Sequence, residues 1–470
     1  MKATMKVIPS FVLAFFLVGT ILFYSTEVSK AAANESPTRG ELIEQVNTLE
    51  GDIEELNQRL DQVETRTLVD RISLGAELRT RFDWFHFDDN DTEQTDSVDQ
   101  LPSNRFRLNL KADVSENMIF RGRLVVFTNW GDNDIPSYPT LSSMNASRIQ
   151  TDTTVRVERA YIDYFFGETP LALSFGRLPF TDGLPTDLRE DTPRKSTYPS
   201  LAYDVEADGI ALSYGLEGIT TLPSSSAKLI YTRTVHDNDD QIYMDNALGI
   251  EGMDVYLLQF ETGFPGAMDG TLFILNYIYV PEMRSPDLTS LGLTPISLPE
   301  SIGSFHKYTF FLESKRFMGS LFDWFLGYSI IKTKADDLAI YDTGAPAPYP
   351  VGILNDDGTS DRTGTAFQLG VRANLPFKGL NEPKFGVEYN KGSKYWVGMS
   401  LAAEDTLHKL DTRGDAWDIY YIQPFSRYLS ARVGYTMIHY DYSGSGSYYG
   451  TPSEIDQDVT NAYFLIEARF

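Results

Sequence analysis

Asn461-Ala462-Tyr463-Phe464-Leu465-Ile466-Glu467-Ala468-Arg469-Phe470 ends the chain. Successive side chains point to opposite faces of a strand, so Phe464, Ile466, Ala468 and Phe470 share one face. Tyr463, Leu465, Glu467 and Arg469 share the other, which carries both charges. One apolar face and one partly charged face suit a sheet with lipid outside and water inside. The edge strand of a soluble β-sandwich would alternate in the same way, so recurrence along the chain has to separate the two.

The alternation recurs from residue 72 onward. Leu74, Ala76, Leu78, Phe82 and Trp84 interleave with Glu77, Arg79, Arg81 and Asp83; Phe106, Leu108 and Leu110 interleave with Arg105, Arg107 and Lys111; Phe120, Leu124 and Val126 interleave with Arg121 and Arg123. Charges on every second position need water on that face. The chain has no second apolar run after residue 33 that could form a membrane helix. A membrane protein without spanning helices must close its sheet, because unpaired backbone groups cannot face lipid. The pattern therefore predicts an all-β, closed antiparallel transmembrane barrel of 16 strands, within a range of 14–18. Spacers alternate long and short: 88–103 then 115–117, 131–154 then 167–169, 181–203 then 216–226. That is the asymmetry of long extracellular loops and short periplasmic turns, and an even strand count puts both termini in the periplasm. Strands are expected at 383–391 and 408–424, where Gly392, Gly398 and Gly414 blur the ends. Trp84, Trp130 and Trp324 fit interfacial girdles, with sugar stacking as the sharper alternative.

Lys2 and Lys6 precede an apolar stretch from Val7 to Tyr24, and Ser-Lys-Ala-Ala-Ala follows at 29–33, so residues 1–33 read as a secretory signal peptide. The chain has no cysteine, which excludes disulfides, thiolate metal sites and C-x-x-C-H haem attachment. Loss of the signal's three Lys and one Glu takes the formal charge from −26 to −28, which argues against nucleic-acid partners. Between the signal and the first strand, Leu42, Val46, Leu49, Ile53, Leu56, Leu60 and Val63 recur at spacings of four and three. Residues 34–70 are thus expected to form a periplasmic coiled coil of about three heptads, ahead of a barrel domain over 71–470. β-Branched residues at a with Leu at d favour dimers. An amphipathic helix packed on its own domain would show the same seam.

Further stretches carry a resemblance. Arg59-Leu60-Asp61-Gln62-Val63-Glu64 resembles the short Arg-aliphatic-x-x-aliphatic-Glu motif of three-stranded coiled coils, and the terminal strand ending on Phe470 resembles the assembly signal of bacterial outer-membrane barrels. Signal, coiled coil and strands together look like the trimeric bacterial porins. Glu388-Tyr389-Asn390-Lys391-Gly392-Ser393-Lys394-Tyr395-Trp396, Lys409-Leu410-Asp411-Thr412-Arg413-Gly414 and Tyr420-Tyr421-Ile422-Gln423-Pro424 resemble an uncharacterised family of porin-like outer-membrane proteins. So does Gly176-Arg177-Leu178-Pro179-Phe180 running into Asp182-Gly183-Leu184-Pro185-Thr186-Asp187. The resemblance implies a homotrimer held through Leu42 to Glu64, in the outer membrane of a Gram-negative bacterium.

In porins the loop after the fifth strand folds inward and its acids face a basic wall. The corresponding segment, 181–203, carries Asp182, Asp187, Glu190 and Asp191, and Arg79, Arg81, Arg105, Arg107, Arg121 and Arg123 would supply the wall. Opposed rows would set a transverse field across a constriction. Arg189, Arg194 and Lys195 lie in the same loop and could neutralise its acids instead. An enzyme is not expected: only His86, His236, His306, His408 and His439 are available, and no Gly-x-Ser-x-Gly elbow occurs. Asp88-Asp89-Asn90-Asp91 and Asp237-Asn238-Asp239-Asp240 lack the calcium-loop continuation and read as solvated charge. The expectation is a cofactor-free porin passing ions and small hydrophilic solutes, with a weak cation preference from the acidic loops and membrane lipid around it. The alternatives are a pore selective for anions or organic acids, or a barrel that sheathes or tethers a partner protein.

Overall fold

The computed structural model describes residues 71–130, 155–234, 253–284, 301–336, 339–341, 350–352, 354, 359–400, 407–446, 448 and 450–470. The barrel unit runs from Ile72 to Phe470. Its strands are β1 (Ile72–Asp89), β2 (Gln94–Ser115), β3 (Met118–Asn129), β4 (Arg156–Phe165), β5 (Leu171–Arg177), β6 (Ala207–Gly215), β7 (Ser226–Thr234), β8 (Met253–Gly263) and β9 (Thr271–Arg284). They continue with β10 (Ser301–Ser314), β11 (Phe322–Ala335), a small hairpin of β12 (Ala339–Tyr341) and β13 (Pro350–Gly352), then β14 (Arg362–Asn374), β15 (Lys384–Gly392), β16 (Gly414–Pro424), β17 (Leu429–Tyr442) and β18 (Glu454–Arg469). Leaving the hairpin aside, sixteen strands pair antiparallel with their neighbours and β18 closes on β1. No described helix is long and apolar enough to cross a membrane.

The alternation sets the inside and the outside. Arg79, Arg81, Asp83, Arg105 and Arg107 point into the barrel and are buried, while Leu78, Trp84 and Phe106 between them are exposed on the outer wall. Each of the sixteen strands carries at least one exposed large apolar residue, from Leu78 on β1 through Leu258 on β8 to Ile466 on β18. A continuous apolar belt of this kind is what lipid rather than water would cover. Trp84 and Trp130 stand on it, with Phe82 edge-on to Trp130 at 5.5 Å.

The terminal strand occupies the closing seam. Phe464 lies opposite Phe82 with rings 6.4 Å apart, and Ile466 lies opposite Thr80. The Phe470 amide donates to the Ala76 carbonyl at 2.9 Å, and the Ala76 amide to the Phe470 carbonyl at 2.7 Å. The first and last strands are thus paired in register from Glu77 opposite Arg469 to Asp89 opposite Gln457, which removes an open sheet edge.

Three boundaries differ from the sequence reading. Residues 88–103 are largely strand, since β1 and β2 continue past the apolar belt to a turn at 90–93 and their alternation dissolves there into charge on both faces. The strand expected over 408–424 begins only at Gly414, and Lys409–Asp411 form a 3-10 turn inside the barrel. The β12–β13 hairpin interrupts the spacer between β11 and β14, where the alternation predicts no strand. The coiled coil expected at 34–70, with Leu42, Val46, Leu49, Ile53, Leu56, Arg59, Leu60, Val63 and Glu64, lies outside the described residues.

Candidate functional site: an inward loop across the lumen

The loop between β5 and β6, residues 178–206, turns into the barrel instead of away from it. Its composition is two-sided, and so is its anchorage. Leu178, Phe180, Tyr198, Tyr203 and Val205 are buried in one cluster with Val255 on β8, Ile278 on β9 and Phe305 on β10. Tyr198 stacks on Tyr203 at 4.3 Å, and Leu184 and Leu188 pack on Ile274, Phe311 and Phe325. Burying side chains of this size contributes roughly 1.5–3 kcal/mol each. The wall over β8 to β11 is thus apolar where it meets the loop, although charge on the first three strands predicts a wet interior throughout.

On its other side the loop is held by ion pairs. Asp182 accepts from Arg107 at 3.1 Å, Arg123 at 2.5 Å and Arg159 at 3.1 Å, and Glu158 on β4 shares Arg107 and Arg123 at 3.0 Å. The loop then forms its one short helix, α1 (Thr186–Glu190). Glu190 at its end pairs with Arg79, and with Lys195 at 2.9 Å. Asp187 pairs with Lys315, and Asp191 with Arg372 at 3.1 Å and Lys384 at 2.8 Å. The acids are in direct contact with their cations, so charge here fixes the loop and leaves no opposed rows facing each other across water. Burial alone would raise the Asp182 carboxyl, but the guanidinium groups of Arg107 and Arg123, with Lys195 and Arg159, hold it well below its ordinary value. For Glu190, Lys195, Arg79, Arg105 and Arg469 likewise outweigh burial and hold it well below.

Of the six wall arginines, Arg79, Arg105, Arg107 and Arg123 meet the loop. Arg81 is engaged by Asp83 and lies over the Tyr463 ring at 4.7 Å. Arg121 pairs with Asp163 at 3.1 Å and its side chain stays two-fifths exposed. Among the loop's own cations, Lys195 pairs with Glu190 in the loop and with Glu77 on β1 at 3.5 Å, Arg189 reaches Glu388 on β15 at 2.8 Å and Arg194 reaches Glu261 on β8 at 2.6 Å. Arg469 on β18 donates to the Glu190 carbonyl at 3.1 Å. Strands β8 and β18 stand eight apart in the ring of sixteen, so this loop is tied to diametrically opposed walls.

A second inward segment has no counterpart in the sequence reading. Residues 393–400 and 407–413 also pack inside: Trp396 and Arg413 are fully buried, Lys307 on β10 donates to the Val397 carbonyl at 3.2 Å and sits 4.5 Å from the Trp396 ring. The Asp204 amide donates to the Met399 carbonyl at 2.9 Å, joining the two loops. Lys409 bridges Glu388 at 2.8 Å and Asp418 at 2.5 Å. Gly398 packs directly on Asp411, since a Cβ on it would lie 1.4 Å from Asp411 Oδ1 and that side chain would have to shift. Between the loops a cavity of about 40 Å³ remains, with room for a few waters. Larger spaces open at the short-turn end. One of about 400 Å³ is walled by Lys111, Arg121, Arg123, Arg159 and Lys195; another of about 380 Å³ is bounded by Asp191, Lys384 and Arg469.

Away from the lumen, His439 on the outer wall hydrogen-bonds Asp458 across strands at 2.9 Å and lies 3.4 Å from Asp441. His439, Asp456 and Asp458 bring ligand atoms within 4.8 Å of one another, close enough for one divalent cation at the long-loop rim. Asp89 accepts the Asp91 and Thr92 amides and so shapes the β1–β2 turn. His236 and the acids at 237–240 lie outside the described residues.

A family model described as protein of unknown function (DUF3373) matches residues 95–468, well over half of the chain. No curated protein matches. Among solved structures, Pseudomonas putida OprB is 13% identical over 87% of this chain and 97% of its own, with a TM-score of 0.52. The anion-selective porin from Comamonas acidovorans is 10% identical, covering 85% of this chain and 99% of its own, with a TM-score of 0.46. Salmonella typhi OmpF in complex with daunomycin is 11% identical, covering 84% and 97%, with a TM-score of 0.44. At such identity the likeness to OprB is one of fold.

Proposed function

The chain belongs to that family, and we propose that it is an outer-membrane porin through which ions and small hydrophilic solutes diffuse, narrowed by the loop at 181–203. The observation that carries this reading is the loop itself, a segment tied to opposed walls of a sixteen-strand barrel with water-sized and larger spaces beside it. A barrel that served only as a sheath would have no need to fix a loop in its own lumen with buried charge, because desolvating ions is costly. In this reading residues 1–33 are removed on export. Residues 34–70 form a periplasmic trimeric coiled coil, and the short turns share its side of the membrane. The long loops face outward, and lipid covers the apolar belt.

Purified protein in planar bilayers tests the proposal. Steady, ohmic current in KCl is the expected result. A correctly folded barrel that carries no current refutes it.

A further inference from the structure

Two cations stand side by side on the lumenal face at the short-turn end. Lys111 and Arg121 are directly opposed across β2 and β3, and two residues further along β3 Arg123 opposes Arg159 on β4. Like charges directly opposite one another are destabilising. The inner pair is relieved, because Asp182 and Glu158 contact Arg123 and Asp182 contacts Arg159. In the outer pair each cation has one carboxylate of its own and is about two-fifths exposed. Among the described residues Lys111 reaches the half-exposed Asp113, at 3.0 Å, and Arg121 uses its Nε on Asp163. The two terminal nitrogens of Arg121 donate to no described residue, and neither does Nη2 of Arg123, whose Nε is held by Asn109 at 2.7 Å. Lys111, Arg121 and Arg123 line the cavity of about 400 Å³, and among the described residues no carboxylate lines it.

We propose that this cavity is a subsite for small solutes bearing two or more negative charges as oxyanion groups, phosphate or dicarboxylate. A guanidinium presents parallel N–H donors that match such oxygens in pairs, and the neighbouring ammonium adds a point charge. The dianion would accept from the guanidinium nitrogens of Arg121 and Arg123 that Asp163, Asn109, Glu158 and Asp182 leave over, beside the Lys111 ammonium. The proposal rests on the channel reading for the solute's route, but not for its binding.

Inorganic phosphate and succinate serve as probes, with the KCl current in bilayers and calorimetry of the detergent-solubilised protein as separate readouts. Both side chains are about two-fifths exposed, so the double variant Lys111→Gln with Arg121→Gln is expected to fold, which heat-modifiable gel migration checks. In the wild-type protein, phosphate is expected to bind and to block current saturably; the double variant should raise both midpoints about tenfold or more. Lys332→Gln, which removes an exposed charge on the outer wall, should change neither. Equal phosphate binding by the wild type and the double variant overturns the subsite. So does current through a wild-type protein that binds no probe. Binding that is weakened by the double variant in a protein that passes no current upholds the subsite and refutes the channel.

Discussion

Replacing Asp182 with Asn removes one charge at the first anchor of the inward loop and little else. Asn is nearly isosteric, and like Asp it tolerates the positive φ of 59° found at this position, so the backbone has no reason to move. In the native protein three guanidinium groups, of Arg107, Arg123 and Arg159, share Asp182 and Glu158. In the variant three cations face one carboxylate. Removing one partner of a buried pair costs about 3–5 kcal/mol, and because Glu158 remains the low end applies. Roughly 3 kcal/mol, at 1.4 kcal/mol per decade, raises the ratio of released to fixed loop about a hundredfold. Arg194 and Lys195 lie inside the barrel, engaged by Glu261 and Glu190, so trypsin can reach them only in a molecule whose loop has left the lumen. When reclosing outpaces cleavage, the rate follows the released population. The Asp182→Asn protein should therefore be cut at Arg194 or Lys195 about a hundred times faster, as read by mass spectrometry of the fragments, while its heat-modifiable migration is retained. A rate within twofold of wild type would refute the idea that this charge cluster holds the loop.

Acid should release the loop by the same route. The Asp182 and Glu190 carboxyls sit well below their ordinary values, so their stabilisation is complete above about pH 4.5 and is lost as pH falls through the depressed values. Single-channel current of the wild type should become noisier between pH 4 and pH 2, and a trace unchanged over that range would count against the mechanism. Gly398→Ala would drive a methyl group into Asp411 and displace the second inward loop, at a cost of about 1–3 kcal/mol. Acrylamide quenching should rise as Trp396 loses its buried position and its hydrogen bond to the Leu410 carbonyl; unchanged quenching would mean the loop had absorbed the methyl in place.

What the sequence made legible is what period two can carry. Arg105 and Arg107 with Phe106 between them state which way each side chain points, and the pattern over β1 to β3 and β18 suffices for a barrel closed through Phe470. The acids of 181–203 were identifiable as one group, and four of the wall arginines do meet them, but the loop's other partners were not identifiable. Glu388, which pairs with Arg189, and Arg372 and Lys384, which pair with Asp191, are some two hundred residues away and nothing local ties them to the loop. Nor was the second inward loop visible. Leu407, Lys409 and Asp411 alternate with His408 and Leu410 much as a strand would, and only the contacts of Lys409 with Glu388 and Asp418 turn that segment inward. The apolar wall over β8 to β10 was hidden for the opposite reason. Val255, Ile278 and Phe305 look like any buried strand residue until the loop that covers them is in place.

The seam at Phe470 has a temporal consequence. Ala76 and Phe470, near opposite ends of the barrel unit, exchange two backbone hydrogen bonds, and the fixed loop takes Arg79 from the first strand and Arg469 from the last. Contacts of such sequence separation form late, because the intervening chain must be ordered before they return anything. The loop's full set of anchors exists only after the ring has shut. An incomplete barrel would thus carry this loop unfixed, and narrowing of the lumen would be among the final acts of biogenesis.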